Sequence, residues 1–96
     1  MRNILSKSGA RKLVWAPQAE PDIEKIRQTS ERAAEAIAGF ERVVTRIPEM
    51  GMAVPGRPGF YSRPFHTDRG SFLVIYTFDA NQVVCIKIRS VPSTAY

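Results

Sequence analysis

The chain has 96 residues, of which 44% are hydrophobic and 24% charged. This composition excludes a disordered chain, and the length excludes a second large core. Its single cysteine, Cys85, excludes an intrachain disulfide and a cysteine-rich zinc site, so we expect a reducing, cytoplasmic location. No apolar run approaches the ~20 residues that a membrane-spanning helix needs, and we expect no membrane association. The sequence therefore predicts one domain over residues 1–96, with residues 1–9 as a flexible arm.

The net charge of +5 is distributed unevenly along the chain. Residues 1–19 carry +4, residues 20–49 carry −2 and residues 50–96 carry +3. The predicted helices are therefore acidic, whereas the N-terminal segment and the predicted sheet are basic. A basic sheet favours a polyanion or an acidic protein as partner. The alternative is a soluble surface with a high pI and no such partner.

The first half of the chain predicts one strand followed by two helices. Residues 11–15 alternate as a short strand, and Pro21 suits the first position of a helix. One continuous helix from Pro21 to Ile47 would be roughly 40 Å long, too long for a domain with a radius of gyration of about 13 Å. We therefore place a break near residues 28–30, where Thr or Ser can cap a second helix. Helical spacing predicts that this second helix buries a stripe made of Ala33, Ile37, Phe40, Val44 and Ile47.

A loop and an edge strand are predicted to follow the helices. Residues 49–59 are rich in glycine and proline, and we expect Met50 and Met52 in this loop to fill the edge of the core. Residues 60–66 then predict an edge strand, because Pro64 cannot donate a hydrogen bond to an interior ladder.

The last part of the chain predicts an apolar hairpin. Residues 71–78 are almost entirely apolar, which is typical of a central strand, and residues 79–82 form a turn. Regular alternation over residues 83–89 places side chains on two faces. One face carries Val84, Ile86 and Ile88, and the other, open face carries Val83, Cys85, Lys87 and Arg89.

Together these elements predict an α+β fold with the order β-α-α-β-β-β. The helical hairpin packs on one face of a small, mainly antiparallel sheet. Trp15 and Tyr76 are expected in the core, since both lie in strands. Cys85 is expected to be buried and structural, because no histidine is placed to activate its thiol.

Five segments carry motifs in a defined order: residues 13–19, 22–26, 47–51, 71–76 and 83–89. The first two contain a short strand that ends in an aromatic residue, a Pro-x-Ala turn and the start of a helix. Residues 47–51 form a Pro-x-x-Gly loop at the end of the second helix, and the last two segments form a hairpin with a tyrosine in its middle strand and an arginine ending its last. In this order and spacing, the segments resemble the RelE/ParE toxin superfamily.

The resemblance implies the toxin of a type II toxin–antitoxin module, similar to plasmid stabilisation proteins. Such a toxin arrests growth unless its cognate antitoxin binds it, and we expect a homodimer when the antitoxin is absent. RelE-like members cut mRNA on the ribosome, whereas ParE-like members inhibit DNA gyrase and are not enzymes. The target stays open between these two. A degenerate non-toxic member or a small basic protein-binding module is the alternative.

The resemblance and the predicted strands together indicate candidate site residues. RNA cleavage of the RelE type needs cations and proton donors or acceptors around the scissile phosphate, and we expect neither a metal nor a cofactor. The resemblance implies a role for Arg89 and for Tyr96. The catalytic candidates are Arg89, Lys87, Arg63, His66 and Tyr96, although a regular strand places Arg63 and His66 on opposite faces. The candidates for binding nucleic acid or another target are Arg57, Arg69, Arg11 and Lys12.

Two positions differ from the family pattern. Phe72 or Leu73 stands where a RelE-like member is expected to carry an arginine in the middle strand. Residues 90–93 read Ser-Val-Pro-Ser, where a ParE-like member is expected to have a basic ending.

Overall fold

The computed structural model describes residues 10–92. Two helices and a five-stranded, mostly antiparallel sheet form an α+β structure, which confirms the predicted fold class. The sheet order is β1-β5-β4-β3-β2. The elements in chain order are β1 (Lys12–Trp15), α1 (Glu20–Arg27), α2 (Glu31–Arg46), a 3-10 helix (Pro48–Met50), β2 (Met52–Ala53), β3 (Tyr61–Thr67), β4 (Gly70–Phe78) and β5 (Gln82–Val91).

The predicted break between the two helices is confirmed. Ser30 is the N-cap of α2, and its hydroxyl accepts a hydrogen bond of 3.0 Å from the backbone N–H of Ala33. The same hydroxyl donates to the Asp68 carboxylate at 2.8 Å, which ties the start of α2 to the β3–β4 turn. A serine at this position satisfies a backbone donor that a continuous helix would satisfy internally.

The predicted apolar stripe of α2 is correct except at its end. Ala33, Ile37, Phe40 and Val44 are buried, but Ile47 is 47% exposed. Helix α2 ends at Arg46 because Pro48 cannot continue it, and Ile47 has the non-helical angles φ −135° and ψ 68°. Its side chain is therefore no longer aligned with the stripe.

Strand β4 is the centre of the sheet and pairs antiparallel with β3 and β5. The short strand β1 adds parallel to β5 at one edge. At the other edge β2 pairs with β3 only at Tyr61 and Ser62, so Pro64 lies beyond this pairing, as an edge proline should. The sequence did not predict β2, which has two residues.

One hydrophobic core lies between the helices and the sheet, and Tyr76 is buried at its centre. The Tyr76 hydroxyl donates a hydrogen bond of 2.6 Å to the carbonyl oxygen of Pro48, which fixes the 3-10 helix against the sheet. Trp15 packs on the same core, and its indole N–H donates to the Glu41 carboxylate at 2.8 Å. The expectation that both aromatic residues belong to the core is confirmed.

The expectation that Met50 and Met52 fill the edge of the core is wrong. Met50 is 61% exposed and Met52 is 74% exposed. At this end of the core, Tyr61 and Tyr76 stack with ring centroids 6.0 Å apart.

Neither helix within residues 10–92 has the combination of length and hydrophobicity that spanning a bilayer requires. The predicted arm over residues 1–9 lies outside the described part of the chain.

Candidate functional site

The sheet has one face packed against the helices and one face that no described helix covers, which we call the open face. In β4 the core residues are Val74 and Tyr76, both fully buried. Side chains alternate along a strand, so Leu73 and Ile75 point to the open face, where both are half-buried. The pairing of strands then assigns residues of the other strands to one face or the other.

A β-bulge decides which side chains of β5 reach the open face. Tyr76 pairs with Cys85, and Ile75, which precedes Tyr76 in β4, pairs with Lys87. Ile86 therefore has no partner residue in β4 and is the extra residue of the bulge. Cys85 therefore points into the core, whereas Lys87 lies on the open face. The prediction that Val83 and Cys85 share a face with Lys87 is wrong, because it assumed regular alternation through Ile86.

Two of the predicted catalytic residues, Lys87 and Arg89, lie side by side on the open face. They pair with Ile75 and Leu73, and both cations are exposed. Their carbon chains border an apolar centre, since Leu73 and Ile75 are the residues that they face across the strands. This arrangement can hold an anion at the border of an apolar surface.

A third candidate, His66, lies at the same end of the open face. His66 pairs with Ser71 across the β3–β4 hairpin, and its Nδ1 is 2.8 Å from the Ser71 hydroxyl. On β4, Ser71 is two residues from Leu73, the partner of Arg89, so Ser71 pairs directly with His66 on one side and lies diagonally across from Arg89 on the other. The contact through Nδ1 leaves Nε2 as the nitrogen that is free to transfer a proton to or from a ligand.

Arg63 does not join this group. It pairs with Val74, which is fully buried on the helix side of the sheet, so Arg63 and His66 lie on opposite faces. The charge of Arg63 acts instead on Tyr76, where it partly offsets the burial that raises the pKa of the phenol. The predicted placement of Arg63 and His66 on opposite faces of a regular strand is therefore confirmed, and the catalytic role of Arg63 stays a prediction.

Two of the predicted binding residues are engaged within the fold. The Arg11 guanidinium donates to the carbonyl oxygen of Asp79 at 2.7 Å and lies 5.5 Å from the centre of the Phe78 ring. The Arg57 guanidinium lies 4.8 Å from the centre of the Phe60 ring. Both contacts hold loops in place, and neither residue lies beside Arg89.

The other predicted binding residues are scattered. Lys12 is exposed on the open face, opposite Gln82, but roughly 20 Å along β5 from Arg89 at ~3.3 Å per residue. Arg69 is exposed in the β3–β4 turn. Tyr96 lies outside the described residues.

Cys85 is fully buried, which confirms its expected burial. Burial, assisted by the charge of Glu41, raises the pKa of its thiol to about 12. A thiol with this pKa is protonated near neutrality and is a poor nucleophile. Among residues 10–92, no group of three or more His, Cys, Asp or Glu side chains could hold a metal ion.

Sequence reasoning missed two features of this site. It did not pair His66 with Ser71, since register across a hairpin depends on the length of the turn. It also did not detect the bulge at Ile86, because Val83, Cys85, Lys87 and Arg89 follow the regular period of two in the sequence and nothing there marks an extra residue.

No protein-family model matches this chain, and no curated protein matches it either.

Proposed function

We propose that this chain is the toxin of a type II toxin–antitoxin pair of the RelE/ParE kind, which arrests growth when its antitoxin is absent. The observation that carries the proposal is the exposed pair Lys87 and Arg89 on a sheet face that no described helix covers. The order of strands and helices is compatible with the resemblance found in the sequence. A basic, uncovered face is what both an anionic target and a neutralising protein partner require.

The chemistry available on the open face favours RNA as the target. In RNA cleavage of this type, a base removes the proton of a 2′-hydroxyl, and the resulting oxyanion attacks the adjacent phosphorus. A cyclic phosphate forms, and the 5′-oxygen leaves with a proton from an acid. His66 can exchange a proton through Nε2 while Ser71 holds Nδ1, and Arg89 and Lys87 can stabilise the charge on the phosphate oxygens.

Gyrase inhibition is the second candidate, and a different observation favours it. The centre of the open face is apolar, because Leu73 stands beside Arg89 where a second catalytic cation is expected in a nuclease of this kind. An apolar centre with a cationic border suits a protein surface as partner. Gyrase inhibition needs only such complementarity, and no proton transfer.

Induced expression in a bacterial host separates these functions. Cells would be followed for growth and for the incorporation of labelled methionine and labelled thymidine. Early loss of methionine incorporation, with cleaved messages, supports RNA cleavage, whereas early loss of thymidine incorporation with intact messages supports gyrase inhibition. Normal growth with a folded, accumulated product would leave the alternative, a non-toxic family member or a basic protein-binding module.

A further inference from the structure

An arginine and a phenylalanine form a cation–π pair at one end of the open face. Arg57 is exposed, and its guanidinium lies 4.8 Å from the centre of the half-buried Phe60 ring. Phe60 directly precedes Tyr61, which packs against the core, so alternation turns Phe60 towards the open face. Ser62 supports this assignment, because it pairs with Ile75 of the open face. The pair therefore places a planar cation and an aromatic ring at the end of that face.

The loop that carries this pair is held in one conformation by its own hydrogen bonds. The backbone N–H of Val54 donates to the carbonyl oxygen of Phe60 at 2.9 Å, and the N–H groups of Arg57 and Phe60 donate to the carbonyl oxygens of Val54 and Arg57, both at 3.1 Å. The Thr77 hydroxyl, on the open face of β4, donates to the carbonyl oxygen of Gly59 at 2.9 Å and ties the loop to the sheet. A loop that is already ordered loses little conformational entropy when it binds a ligand.

The open face carries cations and no carboxylates. Within residues 10–92, no Asp or Glu is among the strand residues that the pairing assigns to this face, whereas Lys12, His66, Lys87 and Arg89 are. Arg57 adds a further cation at the end of the face that lies opposite His66. A surface with several cations and no acid attracts a polyanion along its whole length.

The Arg57–Phe60 pair is too far from the proposed catalytic residues to contact the scissile phosphate. Phe60 and His66 are six residues apart in the direction of β3, which is roughly 20 Å at ~3.3 Å per residue. A strand with its bases stacked at ~3.4 Å needs about six nucleotides to cover this distance, and an extended strand needs fewer. Between the two ends lie the half-buried side chains of Leu73 and Ile75, against which bases can pack.

We propose that the Arg57–Phe60 pair is a nucleobase-stacking site, which binds one base of a single-stranded RNA several nucleotides away from the scissile phosphate. The proposal rests on the RNA target proposed above and adds a positioning site to it. Aromatic rings and guanidinium planes both stack on bases, and every base has a π face, so the site accepts any of the four. Its role is to hold the strand along the open face and not to read its sequence.

Binding measured without cleavage tests the site independently of toxicity. The first probe is a fluorescein-labelled oligoadenylate of about nine nucleotides, long enough to cover the ~20 Å between the two ends. Its 2′-O-methyl groups prevent cleavage, because no 2′-hydroxyl is free to attack the phosphorus. The second probe has the same backbone and charge but no bases. Fluorescence anisotropy with the full chain, at one fixed salt concentration, gives the Kd of each probe.

Two substitutions at Phe60 separate stacking from charge and from folding. Phe60→Leu keeps an apolar side chain and removes the ring, and we expect it to weaken binding of the base-containing probe at least fivefold and of the base-free probe less than twofold. Phe60→Tyr keeps the ring and should bind both probes as the parent does. Arg57→Lys keeps the charge and removes the planar group, so it should weaken the base-containing probe more than the base-free one. The control Arg42→Lys, exposed on α2, should change neither affinity.

Three results would overturn the stacking site. The parent chain could bind both probes equally, which would show attraction to phosphates alone, as on a surface made for an acidic protein. Phe60→Leu could leave the affinity for the base-containing probe unchanged, or weaken both probes equally, which would show a structural role for the ring. Growth arrest together with any of these results would leave the proposed function intact. The expected binding pattern in a chain that does not arrest growth would contradict toxicity and leave the stacking site intact.

Discussion

Cys85 and Lys87 lie on opposite faces of the sheet although a single residue separates them. Regular alternation would place residues i and i+2 on one face. The bulge at Ile86 changes this, because Cys85 pairs with Tyr76 whereas Lys87 pairs with Ile75, the adjacent residue of β4. One extra residue thus buries the thiol in the core and turns the ammonium group to the open face, where Arg89 follows it.

Removing either of two isoleucines from β5 tests this arrangement. Deletion of Ile86 removes the bulge but leaves the pairs of Cys85 and Lys87 intact, so the free energy of unfolding should change by no more than about 1.5 kcal/mol. Deletion of Ile88 brings Lys87 opposite Val74, on the core face, and should cost about 3 kcal/mol or more. Urea unfolding measures both values. Equal costs would contradict the assigned register.

Alanine substitutions of two glycines should have opposite effects. A Cβ at Gly51 would overlap the Tyr76 hydroxyl and would lie 2.9 Å from the carbonyl oxygen of Ser62. Gly51→Ala should therefore destabilise the protein by about 1–3 kcal/mol. A Cβ at Gly39 would meet nothing within 4 Å, and Gly39→Ala should stabilise α2 by about 0.5–1 kcal/mol. Thermal or urea unfolding measures the stability of both variants. An unchanged stability of Gly51→Ala would show that Gly51 does not lie so close to the Tyr76 hydroxyl.

The buried thiol should make stability fall at high pH. Burial raises the pKa of Cys85 from 9.0 to about 12, so above pH ~9 the unfolded chain releases a proton that the folded chain retains. The stability due to the neutral thiol is fully present below the unfolded pKa and declines, by at most about 1.4 kcal/mol per pH unit, as the pH rises towards the folded pKa. Tyr76 adds a decline of the same sign at higher pH, because burial also raises its pKa.

Cys85→Ala provides the control for this pH dependence. The substitution destabilises the protein because it leaves a space in the core. The free energy of unfolding of the variant should nevertheless fall less steeply with rising pH than that of the parent chain. Urea titrations at about pH 8 and pH 10 give the comparison. Identical slopes would show that the thiol has an ordinary pKa in the folded state.

If the target is RNA, two residues of one strand should differ sharply in their effect on cleavage. His66 lies on the open face beside Ser71, and Arg63 lies on the helix side opposite Val74. His66→Ala should lower the rate of RNA cleavage by about 10²–10⁴, as expected for loss of a general acid or base. Arg63→Ala should leave the rate nearly unchanged. Primer extension on messages from a cell-free translation reaction measures both variants.

Much of the fold was predictable because its signals are local. The cap at Ser30, the stop at Pro48 and the edge position of Pro64 each follow from the chemistry of one residue. The turn after β4 also has a local signal in the sequence, because the Asp79 carboxylate accepts hydrogen bonds from the backbone N–H groups of Asn81 and Gln82, at 2.7 and 2.9 Å.

The features that the sequence did not predict depend on contacts between distant residues. Neither the pairing of β2 with Tyr61 and Ser62 nor the extra residue at Ile86 has a local signature. Because the side-chain period of a strand is two, one unrecognised residue was enough to assign Cys85 to the wrong face. Within each regular stretch the predicted faces agree with the structure: Lys87 and Arg89 share one face, and Arg63 and His66 lie on opposite faces. The catalytic role of these residues stays a prediction.

If the open face carries the activity, the growth of cells that express three proteins should depend on the two cations of that face. The proteins are the parent chain, the double variant Lys87→Ala with Arg89→Ala, and the control Arg42→Ala with Arg46→Ala, whose residues are exposed on α2. All three should accumulate as folded protein. We expect the parent and the control to arrest growth and the Lys87 and Arg89 variant to allow it. Arrest by that variant at the parent's rate would show that the activity does not reside in the open face.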